Sequence, residues 1–260
     1  MSNATETRVI PILLLSEGGL VKSRRFKEHK YVGDPLNAVR IFNDKEVDEI
    51  VLLDIGATES GRRPNYELIE EIAGECFMPM AYGGGVRSVE EIQRLLKLGV
   101  EKVVINSAAA ENQGLIRQAS LEVGSQSIVG SIDVKKNLWG RYGVFTHGGR
   151  KDVGLDPVEL ARRYESEGAG EIVINSINND GTMKGYDLDL VRSVSGAVGV
   201  PVVACGGAGL LSHFAEALGA GASAVAGGSI FVFYGKHRAV LISYPTRTEL
   251  ASVFQKGIHE

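Results

Sequence analysis

Short apolar runs recur along this chain, and each is followed by a longer stretch in which apolar positions return with helical spacing. The runs are Arg8–Leu15, Glu49–Asp54, Pro79–Tyr82, Lys102–Ile105, Ile128–Asp133, Glu171–Ser176, Pro201–Cys205 and Ala224–Gly227. Rich in Val, Ile and Leu with little alternation, they have the pattern of parallel strands covered on both faces. Val89–Leu98 typifies the stretches between them, with Val89, Ile92, Leu95 and Leu96 on one side of a helix. Ser88 ahead of Glu91 predicts a capping box, and Asp34-Pro35 and Asp156-Pro157 each place a capping carboxylate before Pro at the first helical position. Gly99 and Gly221 stand where helix C-terminal glycines belong. Val134–Thr146, with Asn137 and Gly140 near its middle, predicts a hairpin inserted after the fifth strand.

This alternation is duplicated. Glu49-Ile50-Val51 recurs as Glu171-Ile172-Val173, Asp34-Pro35 as Asp156-Pro157, and Gly84-Gly85 as Gly206-Gly207. Gly99 recurs as Gly221 and Ser107 as Ser229, all at the same offset of 122 residues. Eight strand–helix units in two copies predict a single α/β domain over residues 1–260. Its expected form is a (β/α)8 TIM barrel built from half-barrels of about 8–123 and 124–235.

Composition agrees and narrows the function. A length of 260 residues suits one barrel, and 44% hydrophobic with 23% charged residues fits a large buried core. A formal net charge of -4 gives no reason to expect nucleic acid or an anionic membrane as partner. No apolar run approaches the roughly 20 residues that span a bilayer, and the polar Met1–Arg8 segment lacks a signal core, so a cytoplasmic protein is expected. Cys76 and Cys205 cannot form a disulfide framework, and the Asn3-Ala4-Thr5 sequon reads as accidental in that compartment. His29, His147, His213, His237 and His259 lack metal-ligand spacing, so no metal or cofactor is expected.

Glycine-rich stretches follow three predicted strands: Gly83-Gly84-Gly85, Gly206-Gly207-Ala208-Gly209 and Gly227-Gly228-Ser229. Glycine lets backbone amides approach an anion. Loops after strands seven and eight form the usual phosphate site of such barrels, here Gly206-Gly207 and Gly228-Ser229. The repeat supplies a counterpart from Gly84-Gly85 and Asn106-Ser107. Two facing cradles imply a long substrate with a phosphate at each end; alternatively, the glycines only permit tight turns. Asp180-Gly181-Thr182, after strand six, either holds a sugar hydroxyl or phosphate or forms an Asx-turn alone. Arg150, at the close of the inserted hairpin, is a candidate anion contact.

Ile10-Pro11, Gly33-Asp34-Pro35, Leu53-Asp54-Ile55, Gly83–Ser88, Ile105–Ala108, Ile132-Asp133, Phe145–Lys151, Asp180-Gly181-Thr182 and Gly206–Gly209 together resemble the cyclase subunit of imidazole glycerol phosphate synthase, from about Arg8 to Phe233. The resemblance implies a barrel that receives ammonia from a separate glutaminase subunit docked on its N-terminal face. The ammonia passes through the barrel to a phosphorylated small molecule at the far mouth. It further implies an ammonia gate of Arg8, Glu49, Lys102 and Glu171 at strand starts, although a bare salt-bridge plug would use the same residue types. Asp133 matches a catalytic aspartate after strand five, and Lys22 a lysine in a mobile loop beside the mouth. Asp54 and the cradle residues are then substrate contacts. Within Leu20–Asp34, Arg24, Arg25, Lys27 and Lys30 make either a basic lid or a solvated loop. Cys205 reads as a small buried residue rather than a nucleophile.

One departure stands out. The family pattern has a second aspartate after strand one, and here that position is Leu14, which cannot carry a proton. Loss of such a group typically removes about 10²–10⁴ in rate. The leading expectation is therefore a paralogue of the cyclase subunit that still delivers ammonia, but to an amidotransferase acting on an N-acetyl sugar in surface-polysaccharide synthesis. A true cyclase (lyase) of histidine biosynthesis and a non-catalytic ammonia conduit are the alternatives. An isomerase of the same half-barrel superfamily fits less well, since it has no use for an ammonia gate.

Overall fold

The computed structural model describes residues 7–235 and 237–256. The Asn3-Ala4-Thr5 sequon, most of the Met1–Arg8 segment and His259 lie outside them. Eight parallel strands close into a barrel: β1 (Arg8–Ser16), β2 (Ile50–Asp54), β3 (Met80–Gly83), β4 (Lys102–Ile105), β5 (Ile128–Lys136), β6 (Glu171–Ser176), β7 (Val202–Cys205) and β8 (Ala224–Gly227). Each pairs with the next, and β8 returns to β1 through Arg8↔Ala224 to Pro11↔Gly227. Every expected strand is present: Lys102–Ile105, Glu171–Ser176 and Ala224–Gly227 coincide with the expectation, and the other five differ by one to three residues at one or both ends.

Two apolar layers explain the unbroken hydrophobic runs. Side chains on the outer face of the strands pack under the helices, as Leu13, Leu52, Tyr82 and Ile172 do. The opposite side chains, among them Ile10, Val51, Ala81, Val104, Val173 and Val203, fill the barrel interior. The helix signals act as the sequence suggests. Asp34 accepts the Asn37 amide at 2.9 Å and Asp156 the Val158 amide at 2.8 Å, ahead of helices Pro35–Asp44 and Pro157–Glu167. Ser88 accepts the Glu91 amide at 3.4 Å, and the Glu91 carboxylate returns to the Arg87 amide rather than to that of Ser88.

Register fixes which residues of the two halves correspond. Ile12 pairs with Val51 and Leu14 with Leu53; Ser131 pairs with Val173 and Asp133 with Asn175. Val51 and Val173, like Leu53 and Asn175, are separated by the repeat offset of 122 residues. Leu14 is thus the structural counterpart of Asp133.

Both halves carry an antiparallel addition at the C-terminal end of their first strand. Tyr142–Thr146 folds back on β5 through Asp133↔Phe145, the hairpin the sequence suggests. Gly19–Arg24 and Lys27–Gly33 form a second hairpin on β1 through Leu14↔Val21. This is ordered structure where the sequence suggested a basic lid or loop. Its outer strand is exposed and polar over Lys27–Tyr31, so no apolar alternation marked it. Its tip is held on the loop after β6, where the Arg25 amide donates to the Asp180 carbonyl at 2.9 Å and Arg25 Nε to the Asn178 carbonyl at 3.0 Å. No described helix is long and apolar enough to cross a membrane.

Candidate functional site

Four charged side chains meet at the floor of the barrel. Arg8 donates to Glu49 at 2.5 Å and to Glu171, while Lys102 donates to Glu49 at 2.9 Å and to Glu171 at 3.0 Å. The result is a closed ring of alternating sign, with Glu49 one residue ahead of β2 and the others on the first residues of β1, β4 and β6. Glu49 and Glu171 are buried. Burial works against the Arg8 charge, but hydrogen bonds and charges of Glu171 and Glu49 outweigh it and hold the guanidinium protonated. Two buried carboxylates need two such cations, because removing a partner would leave an uncompensated buried charge.

Above the ring lies a cavity of about 200 Å³, lined from Glu49 and Glu171 at the bottom to Asp133, Lys22 and the glycine loops at the mouth. Its middle is apolar, walled by Ile10, Val51, Val104, Val129 and Val173. With Ser131 as its one polar lining residue at the level of Val173, such a lumen is costly for a charged species to enter.

Asp133, at the C-terminal end of β5, is clamped by two amides: Asn175 Nδ2 donates to one carboxylate oxygen and Asn106 Nδ2 to the other, both at 3.0 Å. Burial nevertheless pushes its pKa up to about 7; the Asn175 and Asn106 bonds oppose the rise and the Asp180 charge adds to it. Such a group exchanges a proton near neutral pH, as acid–base catalysis needs. Opposite it, Leu14 lines the same cavity. Asp180 is half-buried, and loss of solvent raises its pKa as well, against the opposing Ser23 hydroxyl at 3.0 Å and the Lys22 charge. Cys205 also faces the cavity, and burial pushes its thiol far up, which leaves it unreactive at neutral pH.

Lys22 comes in from the hairpin on β1. Its Nζ donates to the Ile12 carbonyl at 2.5 Å, and burial lowers its pKa to about 8, with Asp180 partly restoring it. A Cβ on Gly228 would lie 2.8 Å from that nitrogen. Gly228 has φ -115, a value any residue adopts, so its missing side chain serves to make room for the ammonium. The other cradle glycines are required by the protein's own packing. A Cβ on Gly84 would lie 2.3 Å from the Asp54 carbonyl, and one on Gly207 2.1 Å from that of Gly185.

Of the residues singled out in the sequence, Lys22, Asp54, Gly84, Gly85, Asn106, Ser107, Asp133, Asp180, Gly181, Gly206, Gly207, Gly228 and Ser229 line one cavity. Thr182 is not among its lining residues; its hydroxyl donates to the Asn179 carbonyl at 2.7 Å within the local turn. Asp54 lines the cavity while capping its own loop through the Gly56 and Ala57 amides. Asn175 was not foreseen, though a single amide near the end of an otherwise aliphatic strand was a signal. Thr58 and Glu59, also on the cavity wall, were marked by the repeat, since Thr58-Glu59-Ser60 stands 122 residues ahead of Asp180-Gly181-Thr182.

A (β/α)8 barrel with its polar groups gathered where the strands end has the layout of a barrel enzyme. Comparison of the sequence agrees: residues 8–238 match the family described as histidine biosynthesis protein. A Pseudomonas aeruginosa relative, provisionally named imidazole glycerol phosphate synthase subunit hisF2, is 54% identical over 244 residues, covering 94% of this chain and 97% of that protein. Similar proteins with corresponding provisional names come from Vibrio vulnificus (hisF3; 52% identical, 94% of each chain) and Leptospira borgpetersenii (HisF; 46% identical, 95% and 98%). The chain belongs to the histidine biosynthesis protein family, and within it to the lineage of these barrel subunits.

Proposed function

We propose that this chain is the ammonia-using barrel subunit of a glutamine amidotransferase complex whose acceptor is not the imidazole-forming ribotide. A glutaminase subunit docks on the floor, beneath Arg8, Glu49, Lys102 and Glu171. Opening of this ring admits ammonia to the apolar lumen, which carries it to the mouth. There the acceptor, a phosphorylated small molecule, sits among the glycine loops with Asp133 moving the proton. The acceptor class we favour is an N-acetyl sugar of surface-polysaccharide synthesis, amidated with the help of a sugar amidotransferase. The observation that carries this reading is Leu14: by strand register it is the counterpart of Asp133, and it faces the same cavity. In the family pattern ring closure with elimination uses a carboxyl on each face of the substrate, and here the β1 position has none.

The second reading, a working cyclase subunit in histidine synthesis, is favoured by the names of the relatives. Turnover of the bisphosphorylated ribotide by the purified chain with excess ammonium decides between them. Ammonium bypasses the floor and any glutaminase, so the assay isolates the mouth. Absence of turnover by folded protein supports the amidation reading, and turnover at a useful rate overturns it. A pure conduit, without chemistry of its own, is distinguished by Asp133→Asn. That variant should silence an enzyme and spare a conduit in the assembled complex.

A further inference from the structure

The two glycine cradles correspond by sequence repeat, yet their charges differ. The second, Gly206-Gly207 with Gly228-Ser229, contains the buried ammonium of Lys22, lodged between the Ile12 carbonyl and the space left by Gly228. Asp180, the acid acting on it, directs its own oxygens to the Ser23 hydroxyl and the Phe26 backbone. In the first cradle the repeat counterpart of Gly228 is Asn106, whose side chain is engaged with Asp133. The counterpart of Lys22 is found by register: Leu14↔Val21 in one half answers Asp133↔Phe145 in the other. The next residue in each added strand is Lys22 in one half and Thr146 in the other; Thr146 is buried and is not among the lining residues, so the first cradle has no cation where the second has one.

What lies at the rim of the first cradle is a neutralised pair. Arg150 and Glu59 both line the cavity and are bonded to each other. Asp54 adds a further carboxylate to that wall. Polar groups there are also occupied internally: the Gly85 amide donates to Thr58 Oγ1 at 3.4 Å, and Ser107 Oγ accepts the His147 amide at 3.0 Å. A phosphate dianion at this end would meet two carboxylates, each already paired with an arginine: Glu59 with Arg150, and Asp54 with Arg62 at 3.6 Å. At the other end it would meet Asp180, but also an ammonium that no described carboxylate approaches within 4 Å and whose burial cost an anion relieves.

We propose that the ligand of this barrel is phosphorylated at one end only. Its phosphate seats on Gly206-Gly207 and Gly228-Ser229 against Lys22, and its other end is a neutral, hydroxyl-bearing group received by Glu59 and Arg150. Glu59 is then a specificity-determining residue: it accepts hydroxyl hydrogens and rejects a second phosphate, both directly and by holding Arg150. A monophosphorylated or diphosphate-linked sugar has this form, and a bisphosphate does not. This deepens the amidation reading and rests on it for the identity of the site, though not for the count of phosphates.

Calorimetric titration of the full chain with inorganic phosphate, and with ribose 5-phosphate against the bisphosphorylated ribotide, which is long enough to reach both cradles, tests the proposal. One phosphate per chain is expected, with at least tenfold weaker binding in Lys22→Gln and less than threefold change in Arg150→Gln. Ser229→Asp, which leaves Lys22 in place, provides the same loss should Lys22→Gln fail to fold. The bisphosphate should bind within threefold of the monophosphate in the natural chain and about tenfold tighter in Glu59→Gln, which frees Arg150. Two phosphates per chain, no saturable phosphate binding, or a bisphosphate preference insensitive to Glu59→Gln would each overturn the inference. None of these titrations involves ammonia or a glutaminase, so a failure here is separable from a failure of the amidation reading.

Discussion

Replacing Lys22 by Met tests whether the mouth stores an uncompensated charge. Folding moves this ammonium to a position 4% exposed, and burial, partly offset by Asp180, lowers its pKa from 10.5 to about 8. That gap corresponds to about 3 kcal/mol of stability lost at neutral pH, at roughly 1.4 kcal/mol per pKa unit. The sign is set by which state holds the proton. Below about pH 8 folded and unfolded chains are both charged and the penalty is complete. Between about 8 and 10.5 the unfolded chain binds more protons, so stability rises with pH as the penalty fades. Met keeps the volume without the charge, but leaves the Ile12 carbonyl without its donor, a loss of about 1–3 kcal/mol. The two effects nearly cancel at pH 7, whereas their difference between pH 7 and pH 10 does not. Relative to the natural chain, Lys22→Met should lose about 2 kcal/mol on going from pH 7 to pH 10, read from urea denaturation midpoints at both values. A stability difference that is the same at both pH values would refute the reasoning, because the ammonium would then be as well solvated in the fold as out of it.

Three further outcomes follow from the geometry. Asn175→Leu removes the donor that holds the Asp133 pKa down, so the acid limb of any Asp133-dependent activity should move upward from about 7 by roughly one unit, as a pH–rate profile would reveal. Arg8→Ala leaves Glu49 and Glu171 with Lys102 alone and should destabilise the chain by about 3 kcal/mol, the lower end for a broken buried pair because Arg8 is partly solvated. In the assembled complex the same variant should lower glutamine-driven activity relative to ammonium-driven activity; equal losses would argue that the ring is only a plug. Gly207→Ala, with φ +116 and a Cβ 2.1 Å from the Gly185 carbonyl, should be at least about 2 kcal/mol worse by thermal unfolding than Gly61→Ala, where φ is +68 and nothing lies within 4 Å.

Most of the barrel could be read from the chain because parallel strands buried on both faces leave continuous apolar runs, and because capping residues such as Asp34 and Ser88 act locally. The hairpin Gly19–Gly33 escaped for the opposite reason. Its order comes from pairing with the end of β1 and from Arg25 reaching Asn178 and Asp180, contacts about 150 residues distant in sequence. The site divides the same way. Asp133 and the glycine loops lie at strand ends, positions that alternation alone predicts. Asn175 acts through a side-chain bond to the neighbouring strand, and the Glu59–Arg150 pair bridges loops 91 residues apart. Glycine itself misled in part. Gly84 and Gly207 are demanded by carbonyls of the protein and Gly228 by the room that Lys22 needs, so a ligand is not what requires any of the three.

The floor and the mouth bear differently on what this barrel does. The ring of Arg8, Glu49, Lys102 and Glu171 and the aliphatic lumen concern only what arrives from below, and neither constrains the acceptor. The mouth carries one departure from the family pattern, Leu14 in place of a carboxyl, and, on the inference above, a carboxylate at Glu59 that faces the first cradle and disfavours a second phosphate. If both matter, repairing one is not enough. Leu14→Asp alone should leave ammonium-driven turnover of the bisphosphorylated ribotide undetectable, because the second phosphate still meets Glu59 and the occupied Arg150. Leu14→Asp combined with Glu59→Gln should raise it by a factor on the order of 10², the low end of what a positioned acid–base group contributes. Full turnover from Leu14→Asp alone would mean that the first cradle accepts phosphate as it stands. The barrel would then differ from a ring-closing enzyme by a single carboxyl group.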